Sequence, residues 1–146
     1  MTNREKYEAF LAALQLRHFS PSEVTRYAQS TRNGVRNSLP EDPELWENLV
    51  PTLWVLDQLR ESINLPIRLT SIFRSPAYNK AIGSGAAKRS QHLRNAAIDF
   101  QVDGMSPLQA FNRLNKMRHA GSFTGGLGLY STFVHCDTRG GTNATW

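Results

Sequence analysis

The spacing of apolar residues changes from a helical period to a period of two at Pro66, and this change constrains the fold more than any other feature. Before it, five leucines lie on one helical stripe: Leu45, Leu49, Leu53, Leu56 and Leu59. After it, residues 67–74 and 96–102 alternate as half-buried strands do. The predicted fold is α+β, with a small antiparallel sheet packed against N-terminal and intervening helices.

Local signals place the helices of the first part of the chain. Residues 4–16 predict the first helix. Ser20 predicts the cap of a second helix, and Glu23 completes its capping box. Pro51 lies inside the leucine stripe and is expected to kink or restart that helix. Residues 32–43 are expected to form a loop.

The second part of the chain alternates helices with strands. A short helix is predicted from Ser75 to a stop at Gly83, followed by a loop over residues 83–90. A later helix is expected to bury one apolar face, formed by Leu108, Phe111, Leu114 and Met117. The closing segment predicts two short strands or a bent hairpin, with His135 and Asp137 on one face.

The length of 146 residues fits a single domain over 1–146, with a helical lead-in over 1–63 and a sheet region over 64–146. The only cysteine, Cys136, excludes an internal disulfide framework and a cysteine-rich zinc module. We expect neither a signal peptide nor membrane insertion, because the sequence lacks an apolar run of suitable length. Oligomeric state is left open.

Charge is distributed unevenly along the chain, whose formal net charge is +5. Residues 62–146 contain ten Lys or Arg but only three carboxylates, namely Asp99, Asp103 and Asp137. This excess of cations either aids solubility or attracts an anionic substrate or polymer. A specific nucleic-acid partner is not expected, because the basic residues are scattered and no zinc-finger or RNP-like pattern accompanies them.

Three residues in the strand-forming region are candidate metal ligands: His92, Asp99 and His135. Two imidazoles and one carboxylate suit a catalytic zinc ion that keeps a further position for water. Taken singly, each has an ordinary structural explanation as a loop histidine, a strand-edge carboxylate or a core histidine. Together, two of only four histidines near a scarce acid favour a metal site.

These residues lie in motifs that resemble those of a known family. "SQHLRNAAID" resembles the SxHxxGxAxD motif of zinc peptidases that include D-alanyl-D-alanine carboxypeptidases and phage L-alanyl-D-glutamate endopeptidases, which share the hedgehog/DD-peptidase fold. "RLTSIFRSPAYN" and "GGLGLYSTFVHCDTRGG" are similar to the segments that precede and follow it. The resemblance spans roughly residues 19–146, and the helical lead-in is similar to that of a phage and bacterial branch of peptidoglycan peptidases.

The resemblance implies a role for several residues. His92, Asp99 and His135 match the ligands of one Zn²⁺ ion. Arg74 matches an arginine that faces the metal and holds a substrate carbonyl or carboxylate, where a fixed cation would stabilise an oxyanion. Ser90 matches the serine of the motif, with either a substrate contact or a structural role in the turn.

Two positions depart from the family pattern. Asn95 replaces the motif glycine, a mild change because asparagine tolerates positive φ. Thr132 stands where many members carry the acid that acts as general base. Asp137 is then the candidate catalytic base, or instead a partner that orients a histidine ligand. His119 is a weaker candidate, and its position favours the end of a helix.

The function expected from the resemblance is zinc-dependent hydrolysis of stem or cross-link peptide bonds in peptidoglycan or muropeptides, as a carboxypeptidase or an endopeptidase of endolysin type. One alternative is a non-catalytic, zinc-containing wall-binding domain of the same fold. An iron site built on His135 and Asp137 is a further alternative, but no histidine follows to complete its ligand set. The protein is expected to be made in the cytoplasm and to reach the wall by lysis, virion delivery or non-classical export.

Overall fold

The computed structural model describes residues 1–83 and 87–146. Helix α1 (Asn3–Ala13) and helix α2 (Pro21–Thr25) each begin with a capping box, which confirms the predicted Ser20 cap. Helix α1 ends earlier than predicted, because Gln15 has a φ of 52°, a left-handed conformation that a right-handed helix cannot contain. A 3-10 turn follows α2 over Arg26–Gln29.

The predicted loop over residues 32–43 instead contains most of a small hairpin. Strand β1 (Thr31–Arg32) pairs with strand β2 (Val35–Arg36) in the antiparallel sense. Asn33 and Gly34 connect them with φ values of 47° and 78°. Positive φ at both central residues is what a tight hairpin turn requires, so the Asn-Gly pair explains the structure that the loop prediction missed.

The leucine stripe forms two helices, as the position of Pro51 predicted. Helix α3 (Pro43–Asn48) and helix α4 (Val50–Ile63) meet at Leu49. Proline is tolerated in the first turn of α4 because no helical hydrogen bond is lost there. Four of the five leucines are fully buried: Leu49, Leu53, Leu56 and Leu59. Their burial joins this helix pair to the core.

The main sheet has five strands in the order β3-β4-β6-β5-β7. The strands are β3 (Ile67–Ser71), β4 (Ala97–Val102), β5 (Gly126–Leu129), β6 (Val134–Asp137) and β7 (Ala144–Thr145). Every neighbouring pair is antiparallel except β5 and β7, which are parallel. The antiparallel sheet is confirmed, and β7 is an addition that the sequence pattern did not predict.

Two further helices lie between strands of this sheet in the sequence. Helix α5 (Pro76–Ile82) has the predicted Ser75 cap, and helix α6 (Pro107–His119) is capped by Ser106. The prediction that Leu108 is buried is wrong, because its side chain is 54% exposed. The buried face of α6 instead carries Ala110, Leu114 and Arg118.

One face of the sheet packs on the helices, and the opposite face carries the candidate site residues. Ile98, Phe100, Val134 and Cys136 belong to the same buried cluster as residues from α1 and α4. Asp99 and His135 alternate with these residues and therefore point to the opposite face. Among the described residues, no helix combines the length and apolarity needed to cross a bilayer.

Candidate metal centre and cleft

Asp99 and His135 are direct neighbours across two strands. The register of β4 and β6 places them opposite each other, and Asp99 Oδ1 lies 3.0 Å from His135 Nδ1. The alternation of the sequence predicted a strand for each residue, and the register of the two strands places both side chains on the same sheet face. The sheet therefore fixes two of the three candidate ligands by backbone pairing alone.

His92 comes to the same point from the loop before β4. Its Nε2 atom lies 3.2 Å from Asp99 Oδ2, and its Nδ1 atom lies 2.5 Å from the carbonyl oxygen of Ile72. The backbone N–H of His92 donates to Ser90 Oγ at 3.2 Å. Ser90 therefore has a structural contact in the turn, while its contact with substrate stays a prediction.

The three side chains fit a metal ion. One donor atom from each of His92, Asp99 and His135 lies within 4.8 Å of the others, and all three residues are buried. In each histidine, the ring nitrogen that points away from the cluster, here called the outer nitrogen, faces an acceptor. Nδ1 of His92 faces Ile72 O, and Nε2 of His135 faces Asp137 Oδ2. When an outer nitrogen donates, the inner nitrogen presents its lone pair, which is the arrangement of metal-bound histidines.

Asp137 contacts His135 rather than the cleft. Its Oδ2 atom lies 2.7 Å from His135 Nε2, and its carboxylate also accepts from the side chain and backbone N–H of Arg139 and from the Gly126 N–H. Its side chain is 0% exposed. These are the contacts of the partner that orients a ligand, whereas a base must reach the attacking water.

The pKa values of the site follow from burial opposed by these contacts. Burial raises the pKa of Asp137, but hydrogen bonds from Arg139 and His135 outweigh it and hold the pKa well below the usual aspartate range. For Asp99, burial is likewise outweighed by His135 and His92, so its pKa is also lowered. Both carboxylates are therefore ionised at neutral pH, as charged acceptors for the histidines.

Arg74 lies beside the cluster and is largely buried. Its side chain is only 18% exposed, and its Nη2 atom lies 3.8 Å from Asp99 Oδ2. Burial lowers the pKa of Arg74, and the charge of Asp99 partly offsets that change. The backbone N–H of Arg74 donates to His92 O at 3.1 Å, so the arginine is positioned together with a candidate ligand.

Two glycines of strand β5 leave space for side chains of the site. A Cβ atom on Gly126 would lie 2.5 Å from Asp137 Oδ2. One on Gly128, the cross-strand neighbour of His135, would lie 2.6 Å from Trp146 Nε1. Because Gly128 has no side chain, the Trp146 indole packs on the His135 ring at 4.9 Å between centroids.

Two recesses meet at the metal cluster and share Arg74, Asp99 and Phe133. One, of about 400 Å³, also contains His92, His135 and the aromatic side chains of Tyr130 and Trp146. The other, of about 490 Å³, extends toward the β1–β2 hairpin. Among the described residues that line them, Asp99 is the sole carboxylate, beside four arginines: Arg32, Arg74, Arg89 and Arg139.

The two departures from the family pattern have different consequences. Asn95 has a φ of 56°, as predicted, and its side chain also donates to Leu45 O at 2.9 Å. Thr132 lies along a separate recess, where its carbonyl accepts from Gln101, and no acid occupies its position. His119 is the last residue of α6, as its position in the sequence favoured.

Several cleft residues were not identified from the sequence. Arg32 lines the cleft because of the hairpin, and the Asn-Gly pair was the available signal for it. Arg139 follows β6 in the "HCDTRGG" segment, two residues after Asp137. Tyr130 and Trp146 meet through a hydrogen bond from Trp146 Nε1 to the Tyr130 hydroxyl at 2.8 Å, which depends on the pairing of β5 with β7.

Comparison with known proteins agrees with this site. The chain is 32% identical over 102 residues to the peptidoglycan L,D-endopeptidase MepK of Escherichia coli K12, covering 66% of this chain. It is 32% identical over 134 residues to the probable peptidoglycan L,D-endopeptidase MepK of Haemophilus influenzae, covering 88% of this chain and 66% of the relative. The chain spans about half the length of the E. coli relative. No solved structure gives a significant match.

The model of the family described as peptidase M15 matches residues 17–137. This match confirms the resemblance inferred from the sequence motifs. Because this match covers most of the chain and includes His92, Asp99 and His135, the chain belongs to the peptidase M15 family.

Proposed function

We propose that this protein is a zinc-dependent peptidase that hydrolyses peptide bonds in peptidoglycan. The observation that carries the proposal is the buried cluster of His92, Asp99 and His135, whose inner donor atoms converge beside a cationic cleft. Two imidazoles and a carboxylate are a common ligand set of catalytic zinc. The named activity of the MepK relatives supports peptidoglycan as the substrate.

His92, Asp99 and His135 would hold the zinc ion through Nε2, a carboxylate oxygen and Nδ1 respectively. The ion would supply a Lewis acid for the scissile carbonyl and lower the pKa of a water molecule. Asp137 orients His135 by accepting from its Nε2–H, so that Nδ1 faces the position of the ion. The guanidinium of Arg74, beside Asp99, stabilises negative charge that develops on the carbonyl oxygen.

We propose endopeptidase rather than carboxypeptidase activity. The two recesses leave room for substrate on both sides of the cluster, and an endopeptidase must bind peptide on both sides of the scissile bond. The names of the MepK relatives, which are L,D-endopeptidases, agree with this assignment. The site of action would be the cell wall, reached by lysis, virion delivery or non-classical export.

A second candidate function is a metal-containing wall-binding domain without catalytic activity. Two observations favour it: Thr132 replaces the usual acid, and the Asp137 carboxylate is fully buried among its hydrogen-bond donors. Among the described cleft residues, this leaves Asp99 as the only carboxylate near an attacking water. Both candidates would bind peptidoglycan, but only the peptidase would cleave it.

Mass spectrometry of peptidoglycan digests separates them. Sacculi are incubated with zinc-loaded protein, with chelator-treated protein and with the chelator-treated protein after zinc is restored. The peptidase is expected to release a fragment whose mass identifies the cleaved bond, and the chelator should abolish that release reversibly. Binding to sacculi without any new fragment would reject the peptidase and favour the wall-binding domain.

A further inference from the structure

The 490 Å³ recess beside Arg74 has a wall that the proposed chemistry does not use. The β1–β2 hairpin and the 3-10 turn before it supply this wall through Tyr27, Thr31 and Arg32, with Asn37 just beyond the hairpin. The recess lies on the side of the cluster away from Trp146, which lines only the other recess.

The hairpin is held in place by specific hydrogen bonds. The Asn33 side chain in its turn donates to the carbonyl of Ala81 in α5 at 2.7 Å. The Asn37 side chain donates to Phe73 O at 2.8 Å and accepts from the Ser75 N–H at 3.1 Å. Because Phe73 and Ser75 are the sequence neighbours of Arg74, these hydrogen bonds fix the position of the hairpin relative to Arg74.

The recess carries positive charge that lacks an internal partner. Arg32 is exposed and makes no ion pair with any carboxylate in residues 1–83 and 87–146. Arg74 has Asp99 as its carboxylate neighbour, but the oxygens of Asp99 also lie within 3.2 Å of the two cluster histidines. Two guanidinium groups lie near a single carboxylate, that of Asp99, which also contacts the two histidines. This excess of positive charge favours an anionic ligand.

A buried polar atom at this recess is also without a partner. The Arg74 Nε atom makes no hydrogen bond to any residue that the structure describes. Tyr27 is 5% exposed and lines the recess, close to the backbone of Phe73. A buried donor without an acceptor is costly, so Arg74 carries an unmet hydrogen-bonding capacity at the wall of this recess.

We propose that this recess is a subsite for a free carboxylate of the substrate, bound by Arg32 together with Arg74 and adjacent to the scissile bond. Guanidinium groups recognise carboxylates through paired, charge-assisted hydrogen bonds. Stem peptides present such carboxylates, and amidation replaces one with a neutral group of nearly the same shape. The inference rests on the proposed function and deepens it, because it makes the enzyme selective for non-amidated peptidoglycan.

The test is equilibrium binding of two muropeptides that differ only in amidation of the carboxylate next to the scissile bond. Calorimetry on chelator-treated protein removes turnover from the measurement. Wild-type protein is expected to bind the free acid about tenfold or more tightly than the amide. Arg32→Gln should lose most of that preference by weakening free-acid binding alone, and Arg32→Glu should reverse it.

Arg36→Gln is the matched control. It removes the same charge from the partner strand of the same hairpin, at an exposed position that does not line the recess, and should keep the wild-type preference. Equal binding of acid and amide by wild-type protein would overturn the subsite. So would an unchanged preference in Arg32→Gln.

The ratio of kcat/KM for the same two muropeptides, measured on zinc-loaded protein, separates this inference from the proposed function. Turnover of both peptides without an acid preference rejects the subsite and leaves the peptidase in place. An Arg32-dependent preference in binding without turnover of either peptide rejects the peptidase and supports the subsite.

Discussion

The two histidines of the metal cluster are supported in different ways by the regions that carry them. His92 lies in a loop, and its outer nitrogen faces the backbone carbonyl of Ile72 at 2.5 Å. His135 lies in strand β6, and its outer nitrogen faces the Asp137 carboxylate, which Arg139 holds in turn. One support is a neutral part of the backbone, and the other is a charged side chain with a partner of its own.

This difference determines whether substitutions near each histidine change its affinity for the metal. The carbonyl of Ile72 is fixed by the fold and persists in every side-chain variant at that position. The Asp137 carboxylate adds negative charge behind His135: burial lowers the pKa of His135, but hydrogen bonds to Asp137 and Asp99 outweigh it and raise that pKa. Substitutions near Asp137 should therefore change metal affinity, whereas those in the His92 loop should mainly change stability.

Removal of either histidine should have the largest effect, because two remaining ligands rarely hold zinc firmly. His92→Ala and His135→Ala are expected to lose zinc binding, measured as zinc per chain by native mass spectrometry. His119→Ala, at the end of α6, is the control and should keep one zinc ion. A full equivalent of zinc in either ligand variant would contradict the assignment of the cluster.

Asp137→Asn should weaken zinc binding by about 10- to 100-fold, because the amide keeps the shape of the support but not its charge. Competition with a chromophoric chelator measures this change. Asp103→Asn, which breaks only an exposed pair with Arg68, should have wild-type affinity. If Asp137→Asn kept its zinc affinity and lost only turnover, Asp137 would be the catalytic base instead.

Gly126→Ala tests the same support sterically. The added Cβ atom would lie 2.5 Å from Asp137 Oδ2, so the carboxylate must move from His135. We expect a several-fold loss of zinc affinity in the same competition assay. Gly140→Ala is the matched control, because a Cβ atom there meets nothing within 4 Å among the described residues. Equal affinities in the two variants would show that the position of Asp137 matters little.

Substitutions of Asn95 should have the smallest effect on the metal, since they act on the loop that follows His92. Asn95→Gly loses a buried hydrogen bond to Leu45 O but accepts a φ of 56° freely. Asn95→Ala loses the same bond and adds strain, so it should be less stable than the glycine variant by about 1 kcal/mol. Denaturant unfolding measures the difference, and equal stabilities would contradict the argument from φ.

Sequence reasoning located the metal cluster because its geometry depends on local alternation. Asp99 and His135 occupy period-two positions whose neighbours are apolar, so each points away from the apolar face of its own strand, as the pattern indicates. Glu23 and Ser75 likewise predicted helix starts that the structure confirms. Features that depend on residues close together in the sequence could therefore be predicted.

Features that depend on long-range packing were not accessible. The contact of Trp146 with His135 needs β7 to pair with β5 and needs a glycine at position 128. Leu108 fitted the helical stripe but is exposed, because the sheet meets the side of α6 that carries Ala110 and Leu114. The support of His92 by Ile72 could not be predicted, since a backbone carbonyl leaves no mark on residue type.

We propose that one zinc ion at His92, Asp99 and His135 enables hydrolysis of peptidoglycan peptides. The most direct measurement is a titration of zinc into chelator-treated protein, in which bound zinc and muropeptide turnover are recorded on the same samples. Bound zinc and turnover should rise together and saturate at one zinc per chain, and Asp99→Asn should lower both. Full turnover before zinc binds, or one bound zinc without turnover, would contradict it.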